Sequence, residues 1–428
     1  MTIASDTTIA TMSMKSARRE GTARASDAAG SLLLVLPLVV HQQDGRIFIE
    51  NQAGNGLGQW LRHFERMTLA VPLQEGPPPS GSVAIDSLGL GERLAIELLP
   101  EAWTALRFLR CYPAVRRRLG QLIDAHDYLQ FAIGGAWGDW SAIGALIAAR
   151  RGRKASVWTD RVESQVMRID ARRFKGVRRM QRLFNAWLAH HLERRVIRRT
   201  TLGLFHGKDC YTAYQAFSPN PFLVHDIHLK PSDRIPEERL ASKIATASEG
   251  PLDLIYVGRL HPDKGVMDWI ETLRMVGEAG VPFRARWFGA GPQQDEARAR
   301  VEALGLADRV TFPGLIVDRP QLLDHLRAAH VMLFCHLTPE SPRNLIEALV
   351  SGTPIVGYGS AYSEDLVSAH GGGVLTAMDP RLLADEVIRL AKDRTALADL
   401  IGRAAQDGQH MNDEAVFAHR SELMIRHS

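Results

Sequence analysis

The second half of the chain alternates short apolar segments with longer amphipathic ones. The apolar segments are too short for helices and several end at glycine or turn residues, which is typical of buried strands. Strands are predicted at Leu252–Gly258, Phe283–Gly289, Val310–Pro313, Val331–Cys335, Pro354–Gly357 and Gly373–Leu375. Helices are predicted at Val266–Gly280, Gln293–Leu304, Arg319–Ala329, Asn344–Ser351 and Pro380–Asp393. This alternation predicts a parallel sheet with helices on both faces and ligands beyond the carboxyl ends of its strands.

The first half repeats the alternation less regularly. Strands are predicted at Leu32–Val40, Met67–Pro72, Tyr128–Ile133, Ala155–Trp158 and Leu202–His206. Helices are predicted at Leu57–Arg66, Glu101–Leu109, Ala142–Arg150, Leu183–Arg199 and Tyr211–Phe217. Because 428 residues exceed one ordinary core, two α/β domains are expected, at residues 31–240 and 251–410. The polar segment 233–250 is interpreted as the linker, and residues 411–428 are expected to pack back on the N-terminal domain.

The ends and the cysteines of the chain bear on its location. Residues 1–30 are rich in Ser, Thr and Ala and are predicted to be a disordered tail. The apolar run Leu32–Val40 falls far short of the ~20 residues that span a bilayer. A basic segment before it leaves a signal peptide conceivable, but Pro37 and the lack of a clear cleavage site favour a buried strand. Three cysteines without metal or disulfide spacing suit a reducing cytosol, so a cytoplasmic protein without a metal is expected.

Charge is distributed unevenly along the chain. Residues 251–428 hold 18 Lys and Arg against 24 Asp and Glu, whereas residues 1–250 hold 34 against 24. Much of the positive charge lies in residues 161–199, together with several apolar side chains. This pattern favours docking on an anionic membrane surface, and a solvated helix with an apolar inner face is the alternative. Nucleic acid could bind the same features but is disfavoured, so no nucleic-acid partner is expected.

Two cations follow the first strand of the second half. Arg259 and Lys264 lie in the segment Gly258–Gly265, between a strand and a helix. Both side chains can reach a diphosphate above the sheet edge, where they would stabilise charge on a leaving group. The alternative is a pair of surface cations at an ordinary turn.

Two carboxylates flank a predicted helix start further along the chain. Glu340 precedes Pro342, and Glu347 lies inside the helix that follows. Carboxylates at this place can accept hydrogen bonds from sugar hydroxyls, while the backbone N–H groups of the first turn suit an anion. The alternative is that Glu340 caps the helix and Glu347 pairs with a surface cation.

Other candidates are weaker. The cluster Gly54–Gly58 precedes a predicted helix and resembles a loop that approaches phosphate, although an ordinary tight loop is equally consistent. Asp160 and His206 each end a predicted strand at the presumed cleft between domains, and for both a structural role is the favoured alternative. His190 and His191 are neighbours on a helix and point in different directions, so they do not predict a metal site.

The motifs of the second half together resemble the donor-binding domain of a retaining GT-B glycosyltransferase of family 4. They are Val257–Gly265 with its Arg and Lys, Phe288–Pro292, Val310–Gly314, and the two glutamates before Gly352–Val356. The resemblance extends from Leu252 to about Ala391, and the first half resembles the family only in architecture. It implies a GT-B fold, in which two Rossmann-like parallel-sheet domains face each other across a cleft.

The resemblance also implies roles for individual residues. Arg259 and Lys264 would bind the donor diphosphate, Glu340 the hydroxyls of the transferred sugar, and Glu347 the ribose. The remaining donor-site residues are expected to be Gly258, Gly289, Gly291, Gly314, Asn344, Leu345 and Ile346. The acceptor side is expected to include Gly56, Gly58, Asp160 and His206.

The chain departs from the family pattern in three places. The two glutamates are seven positions apart where the family usually has eight, and Arg343 stands where Asn or Gly is common. Thr159-Asp160 occupies the point where the family often has a histidine. The glycine cluster lies farther from the first strand than usual.

The resemblance implies transfer of a hexose from a nucleotide-diphosphate sugar to a glycan acceptor, with a lipid-linked bacterial glycan favoured. It implies retention at the anomeric carbon, no metal and no cofactor besides the nucleotide-sugar co-substrate. A nucleotide-sugar epimerase of the same fold and a non-catalytic nucleotide-sugar scaffold remain alternatives. A Rossmann dehydrogenase is disfavoured, because no strand leads into a G-x-G-x-x-G helix followed by an acidic residue.

Overall fold

The computed structural model describes residues 28–338 and 340–428, and most of the predicted N-terminal tail lies outside these residues. Within them, ten strands form an N-terminal sheet and six form a C-terminal sheet. The strands of the first sheet are β1 (Ala29–Val35), β2 (Val40–Gln43), β3 (Arg46–Glu50), β4 (Phe64–Gln74), β5 (Ser82–Ala84), β6 (Leu94–Pro100), β7 (Tyr128–Ala132), β8 (Ser156–Thr159), β9 (Leu202–His206) and β10 (Pro221–Val224). The helices beside it are α1 (Asn51–Trp60), α2 (Ala105–Ala125), α3 (Trp140–Arg150), α4 (Glu163–Asp170), α5 (Gly176–Ile197) and α6 (Gly207–Tyr214).

The N-terminal sheet has a parallel body and an antiparallel edge. Its strand order is β10-β9-β8-β7-β1-β4-β2-β3-β5, and β6 also pairs with β4. The pairs β2–β3 and β3–β5 are antiparallel, whereas the strands from β10 to β4 run parallel. The middle strands are almost wholly apolar, as a sheet covered on both faces requires.

The C-terminal sheet is parallel throughout, with the strand order β13-β12-β11-β14-β15-β16. Its strands are β11 (Leu252–Val257), β12 (Phe283–Phe288), β13 (Val310–Gly314), β14 (Val331–Phe334), β15 (Ile355–Tyr358) and β16 (Gly373–Thr376). The helices of this half are α7 (Glu237–Ala245), α8 (Val266–Glu278), α9 (Gln294–Ala303), α10 (Arg319–Ala328), α11 (Arg343–Val350), α12 (Ala361–Leu366), α13 (Pro380–Lys392), α14 (Arg394–Asp407) and α15 (Asp413–His427). The expected two-domain Rossmann-like architecture is therefore confirmed.

Apolar side chains from both faces of each sheet hold the domains together. Trp269 and Trp287 are fully buried in the C-terminal core, where their rings meet edge to face at 5.2 Å. Trp60 and Phe64 have the corresponding place in the N-terminal domain. Each fully buried side chain of this size contributes roughly 1.5–3 kcal/mol or more to folding, which fixes the sheet edges that carry the site.

Two segments cross between the domains. Residues 233–250 are not a free linker, because α7 packs on α14 and the Ile235 amide donates to the Val350 carbonyl at 3.0 Å. Ile227 and Leu229 already belong to the C-terminal core, so the boundary lies nearer residue 226 than residue 240. At the other end of the chain, α15 packs against α1 and β9 of the N-terminal domain.

The predicted helix Leu57–Arg66 is wrong. The helix α1 covers residues 51–60, and β4 has begun by Phe64. The cluster Gly54–Gly58 is thus inside a helix and not in a loop before one. A Cβ at Gly54 would lie 3.2 Å from a Val83 methyl group, so the missing side chain lets α1 pack closely on its neighbours.

Among the helices of the described residues, none combines the length and apolar character needed to cross a bilayer.

Candidate functional site

A cleft of about 920 Å³ lies where the carboxyl ends of the two sheets face each other. The residues directly after β8, β11 and β12, namely Asp160, Gly258 and Gly289, line it, as does His206 at the end of β9. The strand ends of a parallel sheet collect the polar groups of successive loops at one edge. Two such edges meet here, so one domain can hold one substrate while the other presents a second.

The loop after β11 places Lys264 in the cleft. Lys264 ends a short 3₁₀ helix, and Gly265 follows in the left-handed conformation with φ of 66°. A Cβ on Gly265 would lie 2.0 Å from the carbonyl oxygen of Cys335. Only glycine fits this close approach, which turns the chain so that Lys264 faces the cleft and α8 starts against the sheet.

Lys264 forms an ion pair with Glu340 across the cleft wall. The two side chains are 10% and 17% exposed, so the pair is largely enclosed while still touching the cleft. Arg259 lines the same wall. The two predicted cations and the first predicted carboxylate therefore lie at one place.

Glu347 lies one helical turn inside α11 and is 5% exposed. Its carboxylate accepts a hydrogen bond from Arg319 at 3.1 Å. Arg319 is the first residue of α10, and sequence reasoning assigned it no role. The pairing means that a ribose at Glu347 would share this carboxylate with a neighbouring guanidinium.

The predicted donor-site residues at the start of α11 divide between one that lines the cleft and two that lie behind it. Asn344 lines the cleft and donates to the Val257 carbonyl oxygen at 2.5 Å, which ties α11 to the end of β11. Leu345 and Ile346 are instead buried in the C-terminal core, each 1% exposed, and do not line the cleft. Their expected contact with the donor is therefore limited to the helix backbone.

The predicted glycines divide in the same way. Gly258 and Gly289 line the cleft, and the Gly289 amide donates to the Gly314 carbonyl oxygen at 2.9 Å. Gly291 and Gly314 do not line it. A Cβ on Gly291 would lie 2.4 Å from the Leu260 carbonyl oxygen, so this glycine allows two loops to pack together.

The acceptor-side residues are also divided. Gly56, Asp160 and His206 line the cleft. Gly58 lies instead on a separate pocket beside Arg62, on the other side of α1, because helical positions two apart, such as 56 and 58, do not share a face. The expectation that Gly58 faces the acceptor is therefore wrong.

Asp160 and His206 have altered acidities. The Asp160 side chain is open to the cleft, but the protein around it removes bulk water and raises the pKa of its carboxyl group, with Arg161 opposing the shift. Burial, with a smaller effect of Arg420, lowers the pKa of His206 to about 3. His206 is therefore a neutral imidazole at physiological pH, able to donate one hydrogen bond and accept one.

An ion network that sequence reasoning missed joins the two domains. Arg343, the first residue of α11, lies 3.5 Å from Asp226 and 3.6 Å from Glu50 in the N-terminal half. Desolvation alone would raise the pKa of Asp226, but His228 and Arg343 outweigh it and hold that pKa well below its usual range. Arg343 was visible only as a departure from the family pattern, and nothing local marks Glu50 or Asp226 as its partners.

Within the described residues, no group of three His, Cys, Asp or Glu side chains is placed to hold a metal ion. The predicted cations Arg259 and Lys264 line the C-terminal wall of the cleft, together with Arg343.

Comparison with known proteins agrees with this arrangement. Residues 251–393 match the sequence model of the family described as Glycosyl transferases group 1. The chain is 31% identical over 180 residues to the putative colanic acid biosynthesis glycosyltransferase WcaL of Escherichia coli K12, covering 40% of this chain and 44% of that protein. It is 30% identical over 122 residues to the 2-deoxystreptamine glucosyltransferase of Streptomyces kanamyceticus, covering 28% of this chain and 31% of that protein. The alignments thus span less than half the length of these two relatives.

Solved structures match over nearly the whole chain. The Anabaena protein Alr3699/HepE in complex with UDP superposes with a TM-score of 0.64 at 16% identity, covering 92% of this chain and 99% of that one. WaaG, a glycosyltransferase involved in lipopolysaccharide biosynthesis, superposes with a TM-score of 0.59 at 14% identity over the same shares. The chain therefore has the GT-B fold of glycosyltransferases. Its C-terminal domain is similar in sequence to the group 1 glycosyl transferases, in agreement with the family-4 resemblance of its motifs.

Proposed function

We propose that the protein is a glycosyltransferase that moves a hexose from a nucleotide-diphosphate sugar, of the GDP-mannose or UDP-glucose type, to a hydroxyl group of a glycan acceptor. The observation that carries this proposal is that Arg259, Lys264, Glu340 and Glu347 all line one cleft between two Rossmann-like domains. Cations for a diphosphate and carboxylates for sugar hydroxyls are the groups that an activated sugar requires.

Each side chain has a part in the proposed reaction. Arg259 and Lys264 bind the diphosphate and stabilise the charge that grows on it as the glycosidic bond breaks. Glu340 orients the sugar through its hydroxyls, and Glu347 accepts hydrogen bonds from the ribose. Closure of the cleft brings the acceptor hydroxyl to the anomeric carbon and excludes water.

The acceptor hydroxyl attacks from the face that the diphosphate leaves, which retains the configuration of the anomeric carbon. The leaving diphosphate takes the acceptor proton, so the protein needs no nucleophile of its own. Asp160 lies on the opposite wall and can accept a hydrogen bond from the incoming acceptor. The two cations supply the positive charge on the donor side, and the proposal requires no metal ion.

Surface and exopolysaccharide biosynthesis in bacteria is the proposed setting. The name of the Escherichia coli relative refers to colanic acid, and that of WaaG to lipopolysaccharide. A lipid-linked acceptor fits this setting, and we place the protein in the cytoplasm on the inner face of the plasma membrane.

The test is a donor screen followed by substitution of the cations. Radiolabelled UDP- and GDP-sugars are offered with glycan acceptors, and Arg259→Ala and Lys264→Ala are each expected to reduce transfer by about 10²-fold or more. Arg309→Ala is the matched control, because Arg309 lies at the amino ends of the strands of the same sheet, away from the cleft. Wild-type transfer rates in a folded double variant of the two cleft cations would refute the proposal.

The same screen separates the alternatives. An epimerase would convert a nucleotide sugar when no acceptor is added. A scaffold would bind the donor with Lys264 and Glu347 and transfer nothing to any acceptor that the screen offers. Acceptor-dependent loss of the donor is the result that our proposal requires.

A basic and apolar surface of the N-terminal domain supports the membrane location. On α5 the side chains of Val177, Met180, Phe184 and Trp187 are 85%, 71%, 54% and 54% exposed. Cations alternate with them along the same helix. Exposed apolar groups beside cations are what an anionic lipid surface binds.

The helix α2 extends this surface. Leu106 and Leu109 are 82% and 64% exposed, and Phe108 between them contacts Trp137 with ring centroids 5.9 Å apart. Trp137 in turn donates to Asn185 of α5 at 3.2 Å. Two helices that are distant in sequence thus present apolar side chains around one junction.

Vesicle binding tests the surface. Arg178→Gln with Arg179→Gln should weaken binding to phosphatidylserine vesicles about 30-fold, since each well-placed cation contributes roughly 1 kcal/mol. Arg284→Gln with Arg309→Gln removes equal charge from the C-terminal domain and should have little effect. Equal losses in both double variants would show attraction by net charge alone and would exclude this surface.

A further inference from the structure

A buried arginine lies at the floor of the cleft on the N-terminal side. Arg420 comes from α15, is 1% exposed and lines the cleft. Its guanidinium carbon lies 4.5 Å from the ring centre of Trp158, 5.0 Å from that of Trp60 and 4.9 Å from that of Phe417. The three rings attract the cation through their π faces, which helps to keep a charge in a place poor in water.

The guanidinium lacks the hydrogen bonds that burial demands. Among the described residues, its Nε and Nη1 atoms have no acceptor. The nearest carboxylate, Asp226, lies 3.8 Å from Nη1, beyond hydrogen-bond distance, and is shared with His228 at 3.3 Å and Arg343 at 3.5 Å. Burial lowers the pKa of Arg420 to about 10, and Asp226 opposes the shift only in part. Burying a cation whose donors lack partners destabilises the fold unless an anion accepts hydrogen bonds from those donors.

Two imidazoles beside Arg420 add further unused donors or acceptors. His206 is 2% exposed, neither of its ring nitrogens has a partner among the described residues, and its ring stacks on Trp158 at 5.7 Å. His228 also lines the cleft, with Nδ1 unpartnered in the part of the chain that the structure describes. Three nitrogen-bearing side chains from β9, the segment after β10 and α15 therefore converge on one floor.

Gly56 keeps this floor open. A Cβ at this position would lie 3.4 Å from both His228 and Phe417. A larger side chain would extend into the space in front of the two rings.

We propose that Arg420, with His206 and His228, forms a subsite for an anionic group, a carboxylate or a phosphate, carried by the acceptor. That the ligand is the acceptor rests on the proposed function. The donor diphosphate has its own cations, Arg259 and Lys264, on the C-terminal wall. The subsite lies on the N-terminal wall, and one shared carboxylate, Asp226, connects it to Arg343 at the start of α11. The acceptor that this floor selects is therefore an acidic or phosphorylated saccharide and not a neutral one.

The experiment measures anion binding after the proposed diphosphate-binding cations, Arg259 and Lys264, have been removed. In the Arg259→Ala/Lys264→Ala background, inorganic phosphate, glucuronate and neutral glucose are titrated at constant ionic strength, with the fluorescence of the cleft tryptophans as readout. For at least one anion, adding Arg420→Gln to this background should raise the Kd by about tenfold or more. Hydrogen bonds to charged groups contribute enough binding free energy for a change of this size. Binding of phosphate but not glucuronate identifies a phosphate group, and the reverse identifies a carboxylate.

Further variants make the outcome decisive. Arg426→Gln changes an exposed arginine of the same helix and should leave anion binding intact. Arg420→Lys should restore part of it and provides a second test if the glutamine variant does not fold. Anion binding that is undetectable in the background variant, no tighter than that of glucose, or unchanged by Arg420→Gln overturns the inference.

Donor binding separates this inference from the proposed function. Arg420→Gln in the otherwise wild-type chain should leave the affinity for UDP or GDP unchanged. If no nucleotide binds the wild-type protein while the anion preference persists, the proposed function fails and the subsite stands.

Discussion

Replacing Glu340 by glutamine should improve the binding of a nucleoside diphosphate and impair sugar transfer. The substitution removes one negative charge and keeps the size of the side chain. Glu340 holds Lys264 in an ion pair, so a diphosphate must compete with this carboxylate for the same ammonium group. Removing the competitor should tighten the binding of UDP or GDP, neither of which carries a sugar.

The size of the effect follows from the burial of the pair. Two unit charges 4 Å apart interact by about 4 kcal/mol at an effective dielectric constant of 20, whereas exposed ion pairs contribute only about 0–1 kcal/mol. The Lys264 and Glu340 side chains are 10% and 17% exposed, between these limits. We therefore expect a gain of about 1–2 kcal/mol, which is a decrease of about 5- to 30-fold in Kd.

The transfer rate should move in the opposite direction. A glutamine at position 340 accepts hydrogen bonds from the sugar hydroxyls less strongly than a carboxylate, because charged acceptors form the stronger bonds. Losing one such bond in the transition state is expected to slow transfer by about tenfold or more.

Calorimetric titration with UDP and GDP, and a transfer assay with the donor found in the screen, measure the two effects. Glu278→Gln is the control, since it breaks an exposed ion pair with Arg274 outside the cleft. It should change neither quantity. A Kd for the diphosphate that is unchanged or larger in folded Glu340→Gln would refute the competition between Glu340 and the donor.

Two further predictions concern stability. Gly265→Ala should lower the free energy of unfolding by at least about 3 kcal/mol, from left-handed strain plus overpacking, because its Cβ would lie 2.0 Å from the Cys335 carbonyl oxygen. Gly280→Ala, also at positive φ but with no atom within 4 Å, should cost only about 1–2 kcal/mol; equal losses in urea titration would contradict the packing argument. Desolvation raises the pKa of Glu193 from 4.5 to about 7, so its contribution to stability is present below pH 4.5 and lost as the pH rises through 7. Glu193→Gln should therefore gain stability over the wild type between pH 5 and pH 8, whereas the exposed control Glu422→Gln should show no such change.

The C-terminal domain could be predicted almost completely from the sequence. Its six predicted strands and five predicted helices each begin and end within two residues of those in the structure. The reason is local: a strand such as Leu252–Val257 is apolar except for Asp253 and is followed by a glycine, and both signals lie within a few residues. The helices α7, α12, α14 and α15 were not predicted.

The N-terminal domain was harder to predict because packing overrides local preference there. The segment Asn51–Trp60 contains three glycines, and each costs a helix roughly 1 kcal/mol relative to alanine. It is nevertheless a helix, and Gly54 and Gly56 let it pack closely against Val83 and Phe417. The strands β2, β3, β5, β6 and β10 and the helix α4 were not predicted either. Three of them pair through contacts with β3 or β4 that no single segment reveals.

The two walls of the cleft differ in the same physical way. The predicted donor wall is built by one domain. Its groups, from Gly258 to Glu347, lie on loops and on helix α11, which follow the strands of a single sheet, and those strands can be recognised from local sequence. The acceptor floor takes Trp60, Trp158, His206 and Arg420 from four separate elements, and the last of them returns from the opposite end of the chain. A lone arginine on a polar helix carries no sign that it will be buried against two indole rings. Its burial depends on α15 packing against α1. The proposed acceptor subsite is therefore formed by tertiary contacts, whereas the proposed donor site is formed by residues of one contiguous stretch of sequence.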